Sequence, residues 1–261
     1  METILDRIIK EKQKEVLKLR EGDLIKVKAK PKRSFIQKLQ NADEIAIISE
    51  FKRASPSKGM INNGVEPADQ ATCYEKAGAS AISVLTDTTF FKGSFADLKA
   101  VRAAVDLPIL CKDFMIDYIQ IDQAQAFGAD IILLIVAALD DNTLTQLYQY
   151  ARSMDLEVLV EVHNQEELEK ALNLGALLIG VNNRDLKTFN VSLDVTESLA
   201  ITIKDAGAFL ISESGIHHKE DVERVRNAGA NGILVGEALM KSPDLAQSFR
   251  DFRLPLNGML K

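Results

Sequence analysis

The sequence has 261 residues and a formal net charge of -6, with 46% hydrophobic and 27% charged residues. This balance excludes a disordered chain and is typical of a globular protein able to bury a sizeable core. The acidic net charge argues against general affinity for nucleic acid, which requires a basic face. We therefore expect no nucleic-acid partner, and an anionic small molecule would need a local cluster of positive charge.

The first 44 residues precede the main pattern of the chain. Residues 1–20 carry apolar side chains at helical spacing among many Lys and Glu, at Leu5, Ile8, Ile9, Val16 and Leu19. This spacing predicts an amphipathic helix and not a signal peptide. A basic connector with Pro31 and a short helix around residues 34–39 follow.

Several features favour a cytoplasmic protein without a membrane partner. No apolar run reaches the length that spans a bilayer. The two cysteines, Cys73 and Cys111, lack metal-ligand spacing and have no histidine nearby, so we expect both to be reduced core residues. No metal site is predicted.

From residue 45 onward, short apolar runs alternate with helix-period segments. The eight runs are residues 45–49, 81–85, 109–111, 131–136, 156–160, 178–181, 209–212 and 232–235. A Gly-Ala pair precedes five of these runs, at residues 78–79, 128–129, 175–176, 207–208 and 229–230. Each glycine is expected to end a helix in a left-handed conformation.

This repetition predicts an α/β fold, a single (β/α)8 TIM barrel with an extra N-terminal helical segment. Residues 1–44 would form the N-terminal extension and residues 45–261 the barrel, as one domain overall. An open doubly wound sheet is the alternative, but its dinucleotide form is disfavoured because no G-x-G-x-x-G motif follows the first run.

Individual helices carry their own signals. Ser94 with Asp97, and Asn164 with Glu167, match the spacing of reciprocal capping boxes, in which each end satisfies a backbone N–H of the other. A segment near residue 147 has an apolar helical face, formed by Leu144, Leu147, Tyr148 and Ala151.

Ionisable and other polar residues concentrate after the apolar runs, where a barrel has its active site. They are Glu50 and Lys52, Asp87, Lys112 and Asp113, Glu161, Asn182, and Glu213 with Ser214. Glu50 and Lys52 stand two residues apart, so their side chains leave the same face of an extended chain. An isolated pair of this kind is most often a weak salt bridge, but several strand ends together predict one shared site.

Ser214-Gly215 after the seventh run and Gly236 after the eighth predict a phosphate site. Barrels commonly hold phosphate at these two strand ends, with backbone N–H groups as donors. An ordinary turn would explain either segment alone.

The segments at 49–59, 85–87, 91–94, 110–114, 160–163, 180–186, 212–216 and 235–240 resemble the indole-3-glycerol-phosphate synthases of tryptophan biosynthesis. The specific motifs are Lys-Arg-x-Ser-Pro-Ser at 52–57 and Asn-x-Arg-Asp-Leu at 182–186. The resemblance spans nearly the whole chain. Cys111 departs from the expected pattern, but it alternates away from Lys112.

The resemblance implies a carboxy-lyase that closes an indole ring from 1-(2-carboxyphenylamino)-1-deoxyribulose 5-phosphate, an anionic phosphosugar, with loss of carbon dioxide and water and without a cofactor. The catalytic residues it implies are Glu50, Lys52, Lys112, Glu161, Asn182, Glu213 and Ser214. Those implied for substrate and phosphate binding are Ser55, Arg184, Gly215, Gly236 and Glu237.

Within this set, Lys112 is suited to give a proton to the ketone oxygen and Lys52 to hold the substrate carboxylate. Glu161 would assist departure of the hydroxyl, and Glu50 is a candidate base. Which carboxylate is acid and which is base stays open. Arg53, Lys58 and Arg184 are equally explained as solvated charges, and no role is given to His163, His217 and His218.

Two other functions compete with this interpretation. A Schiff-base aldolase also places a lysine at a barrel strand end, but the turn motifs count against it. A phosphosugar-binding protein without catalysis is disfavoured by the presence of both Lys112 and Glu161. A monomer is expected over an oligomer.

Overall fold

The computed structural model describes residues 2–22, 31, 33–56, 59–61 and 64–256. Most of the predicted basic connector, at 23–30 and 32, lies outside the described residues, as do Ser57 and Lys58 of the first long loop.

Eight parallel strands close into a barrel in which each strand pairs with the next along the chain. They are β1 Ala46–Phe51, β2 Ala81–Leu85, β3 Ile109–Lys112, β4 Ile131–Ile135, β5 Glu157–Val162, β6 Leu178–Asn182, β7 Phe209–Glu213 and β8 Gly232–Val235. Pairing of β8 with β1, with Gly232 opposite Ala46, completes the circle. The predicted (β/α)8 barrel is confirmed, and the open sheet is excluded.

Helices connect the strands and precede the barrel. The N-terminal segment contributes α1 Ile4–Glu21 and α2 Phe35–Gln40. The others are α3 Pro67–Ala77, α4 Phe95–Ala104, α5 Tyr118–Phe127, α6 Asp141–Ser153, α7 Gln165–Asn173, α8 Asp194–Asp205, α9 Lys219–Ala228, α10 Glu237–Met240 and α11 Leu245–Phe252. The loop after β1 contains a short antiparallel ladder between Ala54–Ser55 and Gly59–Met60.

The Gly-Ala pairs act as predicted. Gly78 ends α3 with φ 105°, and Gly128 ends α5 with φ 103°. The glycines of the other three pairs also have positive φ. A left-handed residue lets the chain leave the helix axis and turn into the next strand, and glycine adopts it without a Cβ clash.

Strand alternation divides the apolar core into two layers. Ala46, Ile48, Leu110 and Leu159 belong to the cluster inside the barrel. Their neighbours along each strand, Cys111 among them, pack outward against the helices. Because the period is two, the side chains that continue the inner face at the strand ends are Glu50, Lys112 and Glu161.

The opposite end of the barrel is closed by α2. Phe35 and Leu39 are buried in the inner cluster, and Glu157 at the start of β5 caps the helix by accepting from the backbone N–H of Phe35 at 2.9 Å. The sequence interpretation overlooked Glu157, since it lies inside an apolar run. Ionisable groups are therefore less confined to one rim than expected.

Two helix starts differ from the prediction. Ser94 and Asn164 are N-caps that accept from the backbone N–H three residues later, but neither box is reciprocal. Asp97 instead binds the Arg53 guanidinium. Glu167 instead accepts from the backbone N–H of His163 at 2.8 Å.

Side-chain burial confirms two expectations and corrects one. The predicted apolar face of α6 is confirmed, because Leu144, Leu147 and Ala151 are buried. Cys111 is buried as expected, but Cys73 is exposed. Cys73 lies on α3 beside the buried Tyr74, so the helix turns its thiol to solvent.

Candidate active site

The carboxyl ends of the strands surround one cavity of about 180 Å³. All twelve predicted site residues line it: Glu50, Lys52, Ser55, Lys112, Glu161, Asn182, Arg184, Glu213, Ser214, Gly215, Gly236 and Glu237. The strands bring them together because each continues the inward-facing row of its strand or stands in the loop directly after it. Their catalytic and binding roles stay predictions.

Lys112 lies at the centre of the charged cluster. Its ammonium contacts the Glu213 carboxylate and lies 3.5 Å from Oε2 of Glu161. These groups are 15%, 2% and 3% exposed, respectively. Water is largely excluded, so charge interactions here are stronger than at the protein surface.

Burial and charge shift these three groups differently. Burial alone would lower the pKa of Lys112, but the charges of Glu213 and Glu161 outweigh it and raise that pKa above its ordinary value. Burial raises the pKa of Glu213 to about 7. Burial also opposes ionisation of Glu161, yet Lys112 and His163 hold its pKa below the ordinary value. Two carboxylates that share one cation thus have pKa values pushed apart.

Asn182 connects Glu161 to the next strand. Its side-chain amide donates to Oε1 of Glu161 at 3.0 Å. Its Oδ1 accepts from the Ser214 hydroxyl and from the backbone N–H of Arg184, both at 3.0 Å. The amide orientation is therefore fixed from both sides, and Asn182 presents Glu161 in one position.

Glu50 and Lys52 form an ion pair of 2.5 Å on the other side of the cavity. Gly236 makes room for this pair, because a Cβ atom there would lie 2.5 Å from Oε1 of Glu50. Gly180 similarly leaves the space into which the Glu213 carboxylate extends. The sequence interpretation missed Gly180, since nothing in its neighbourhood signals a partner on another strand.

The turn after β7 has an unusual backbone. Ser214 has φ 65° and Gly215 has φ 87°, and the first value is uncommon for a residue with a Cβ atom. Asn183 holds this turn: its buried amide donates to the carbonyls of Glu213 and Ser214, both at 3.0 Å. Asn183 lies inside the Asn-x-Arg-Asp-Leu motif, but the motif predicted no role for it.

The remaining predicted binding residues lie around the rim. Ser55 belongs to the first-loop ladder, and Arg184 donates to the carbonyl of Phe189 at 3.3 Å. Glu237 begins α10 and pairs with Lys241 at 2.8 Å. An ionised carboxylate accepts and does not donate, so the backbone N–H of Glu237 is its only group that could donate to an anion.

Helix α1 forms part of the cavity wall, with Ile4, Leu5 and Ile8 among the lining residues. Lys12 of this helix is buried and binds Asp87 at 2.9 Å and Asp113 at 2.8 Å. These two aspartates, predicted as rim charges, therefore anchor α1. The sequence interpretation missed Lys12, because a lysine among apolar helical positions usually reaches solvent.

Arg53 and His163 both have partners near the cavity. Arg53 makes two bonds to Asp97 and lies over the Phe51 ring, 4.9 Å from its centroid, so it supports the first loop. His163, which received no role, lies beside Glu161. Within the described ranges, no group of three or more acidic, His or Cys side chains is arranged to hold a metal ion.

A search for membrane spans covered the described part of the chain. Every helix in it is too short or too polar to cross a bilayer.

Comparisons with known proteins agree with one another. The indole-3-glycerol phosphate synthase family profile matches residues 5–252. The chain is 52% identical over 254 residues to an indole-3-glycerol phosphate synthase of Bacillus cereus strain B4264, covering 97% of this chain and 99% of the relative. A Bacillus mycoides relative of the same description is 50% identical over 254 residues, with the same coverage.

A solved structure gives the fold independently. Thiamine phosphate pyrophosphorylase from Pyrococcus furiosus aligns with a TM-score of 0.58 at 19% identity, covering 80% of this chain and 93% of that one. The likeness supports the barrel and nothing finer. With the family profile and the two relatives, the resemblance noted in the motifs is confirmed: the chain belongs to the indole-3-glycerol phosphate synthase family, the carboxy-lyases of tryptophan biosynthesis.

Proposed function

We propose that the cavity at the barrel mouth is where this carboxy-lyase closes the indole ring of 1-(2-carboxyphenylamino)-1-deoxyribulose 5-phosphate. The observation that carries the proposal is the buried Lys112 ammonium held between Glu161 and Glu213. The reaction needs a proton donor, a base and a binding site for an anionic substrate. Lys112 and the two carboxylates beside it offer the donor and the base, and the rest of the cavity wall offers candidate groups for binding the anion.

Lys112 is the proposed general acid of ring closure. As the aromatic carbon attacks the ketone, negative charge develops on the ketone oxygen, and a nearby ammonium stabilises it and supplies a proton. The raised pKa of Lys112 supports this role, since the lysine is charged before the reaction begins. A Schiff-base aldolase needs the opposite, an uncharged lysine.

Glu161 and Glu213 are proposed to serve the dehydration that follows loss of carbon dioxide. Glu161, ionised and held by Asn182, takes the proton lost from the new ring. Glu213, whose pKa is raised to about 7 by burial, gives a proton to the departing hydroxyl. These opposite pKa directions favour an acid and base assignment that the sequence left open, and they transfer the departure of the hydroxyl, which the sequence analysis gave to Glu161, to Glu213.

Lys52 is proposed to hold the substrate carboxylate until it leaves as carbon dioxide. It is 20% exposed at the cavity wall, and Glu50 contacts it at 2.5 Å. Glu50 is then the nearest candidate to take the amine proton and to return it, because the indole product keeps its N–H. The pair supplies a positive group without placing an unpaired charge in the wall.

The phosphate is proposed to lie between the ends of β7 and β8. Ser214, Gly215 and Gly236 follow these two strand ends and line the cavity, as do Arg184 and Ser55, and their backbone N–H groups are the proposed donors. Neutral backbone donors suit this acidic protein, because they bind an anion without a large cluster of lysines.

Kinetics of Lys112→Met and Lys52→Met test the roles. Lys112→Met should lower kcat by ~10² to 10⁴-fold, the usual contribution of a general acid, with little change in KM. Lys52→Met should mainly raise KM, because the carboxylate it holds is present in substrate and transition state alike. Indole formation can be followed by fluorescence, since the chain contains 0 tryptophan residues.

Circular dichroism of each variant provides the control for folding. Near-normal kcat in Lys112→Met, with a raised KM, would show that Lys112 is a binding residue and not the acid.

We further propose a cytoplasmic monomer that uses no organic cofactor and binds neither nucleic acid nor membranes. The acidic charge and the amphipathic first segment support this. Residues 1–44 and 45–261 are proposed to form one domain, because α1 contributes to the cavity wall and α2 closes the other barrel end.

A further inference from the structure

His163 lies between two carboxylates at the end of β5. Its Nε2 atom is 3.5 Å from Oε1 of Glu161, and its Nδ1 atom is 3.0 Å from Oε2 of Glu167. The imidazole is 12% exposed. Among the described residues, Nε2 has no hydrogen-bond partner, so its contact with Glu161 is an ion-pair contact.

The start of α7 fixes Glu167 in place. Oε1 of Glu167 accepts from the side-chain amide of Asn164 at 2.9 Å, and Oε2 accepts from the backbone N–H of His163 at 2.8 Å. This is the acidic residue that fails to form the reciprocal cap predicted from the sequence. Its carboxylate is directed toward His163 instead, and the Nδ1 contact leaves Nε2 facing Glu161.

The charges around the imidazole favour its protonated form. Burial alone would lower the pKa of His163, but Glu167 on α7 and Glu161 on β5 raise it above the ordinary value, and Glu213 on β7 adds to this effect. In turn, the imidazolium is one of the groups that hold the pKa of Glu161 down.

We propose that His163 is a positioning residue that keeps Glu161 ionised and correctly oriented, with Glu167 fixing the imidazole ring. The proposal rests on the proposed function, in which Glu161 acts as a base. It extends the site to the first turn of α7. His163 acts through Glu161, so its loss should affect protonation more than substrate binding.

Histidine NMR tests the coupling without any activity measurement. The chain has three histidines, and His163→Gln identifies one resonance by its loss. In wild type, the resonance assigned to His163 in this way should titrate above the ordinary value of about 6.5. Glu161→Gln should lower that titration midpoint. Glu166→Gln is the matched control, since Glu166 is 85% exposed and pairs with Lys170 at 3.8 Å.

The control should leave the His163 midpoint unchanged. An equal midpoint in wild type and Glu161→Gln would overturn the proposal. Because this readout needs no substrate, a failed assignment of Lys112 or Glu161 in catalysis would leave it intact.

The pH profile of kcat/KM provides the second test. In His163→Gln the acidic limb should move to higher pH, because Glu161 loses a neighbouring positive charge and its pKa rises. One pKa unit corresponds to about a tenfold loss on that limb, with recovery above it and KM nearly constant. Glu167→Gln should move the limb in the same direction by less, because it keeps a hydrogen-bond acceptor.

A uniform loss of kcat at every pH, without movement of the limb, would indicate a merely structural role and contradict the proposal. Glu166→Gln should give the wild-type profile.

Discussion

At the scale of single residues, the ammonium of Lys112 is shared by two buried carboxylates, those of Glu161 and Glu213. A buried carboxylate is costly unless a cation compensates it, and Lys112 cannot compensate two equally. Glu161 is also close to the positive charge of His163 and receives the Asn182 amide, whereas Oε1 of Glu213 has no hydrogen-bond partner among the described residues. These differences explain why ionisation is favoured at Glu161 and opposed at Glu213.

The raised pKa of Glu213 has a consequence for stability. The folded state holds this proton up to about pH 7, whereas the ordinary value is 4.5. Folded protein therefore binds more protons than unfolded chain in this interval, and the stability that Glu213 contributes is lost as pH rises through about 7.

Glu213→Gln should remove the loss of stability at higher pH, because the glutamine amide stays neutral. We expect the difference in Tm between the variant and wild type to increase from about pH 5 to about pH 8. Each kcal/mol of unfolding free energy that wild type loses over this interval corresponds to roughly 2 to 4 °C in Tm. Activity should fall, as is common when a strained functional group is replaced. Thermal unfolding followed by circular dichroism at both pH values is the measurement, and a Tm difference that stays constant or shrinks would contradict the pKa direction.

At the scale of elements, sequence patterns predicted what depends on neighbours along the chain. Gly78 and Gly128 end their helices in the expected conformation, and alternation correctly placed Glu50 and Lys52 on one face, since both line the cavity. Lys12, Glu157, His163 and Gly180 were missed for a common reason. Their decisive contacts involve other elements or tertiary geometry, and a local pattern contains no information about them.

Lys12 shows what such a contact contributes to an element. Burial opposes its charge, but Asp113 and Asp87 outweigh this and raise its pKa. The ion cluster attaches α1 next to the cavity, where Ile8 is a lining residue. Without Lys12, two aspartates would face each other in a buried site.

Lys12→Met should destabilise the protein by ~3 to 5 kcal/mol, the usual cost of breaking a buried pair. It should also raise KM, because α1 no longer holds its part of the cavity wall. Lys14→Met is the matched control: Lys14 is 66% exposed on the same helix, and its loss should change stability by ~0.5 kcal/mol or less. Urea unfolding and steady-state kinetics measure both effects, and equal stability of the two variants would refute the anchoring role.

At the scale of the whole molecule, the barrel has two chemically different ends. The mouth holds several charges whose interactions are partly unfavourable for folding, as the Glu213 pKa shows. The opposite end uses the buried Glu157 differently. Its carboxylate accepts from the Ser34 hydroxyl and from the backbone N–H groups of Phe35 and Ile36, so it stabilises the helix that closes the barrel. In our proposal the mouth carries the catalytic groups, whereas Glu157 at the opposite end contributes to stability alone.

Glu157→Ala tests this division. Each buried donor left without an acceptor should cost roughly 1 to 3 kcal/mol, so the free energy of unfolding should fall clearly. The kcat and KM should stay near wild type at a temperature where the variant is folded, since Glu157 lies at the far end of β5 from Glu161 and the cavity. Glu157→Gln, which keeps one oxygen acceptor, should be intermediate in stability. Urea unfolding combined with kinetics distinguishes the outcomes. Glu157→Ala is expected to lose stability and keep its kcat, whereas Glu213→Gln is expected to lose activity. A loss of kcat with unchanged stability in Glu157→Ala would mean that the barrel ends are coupled and would contradict this contrast.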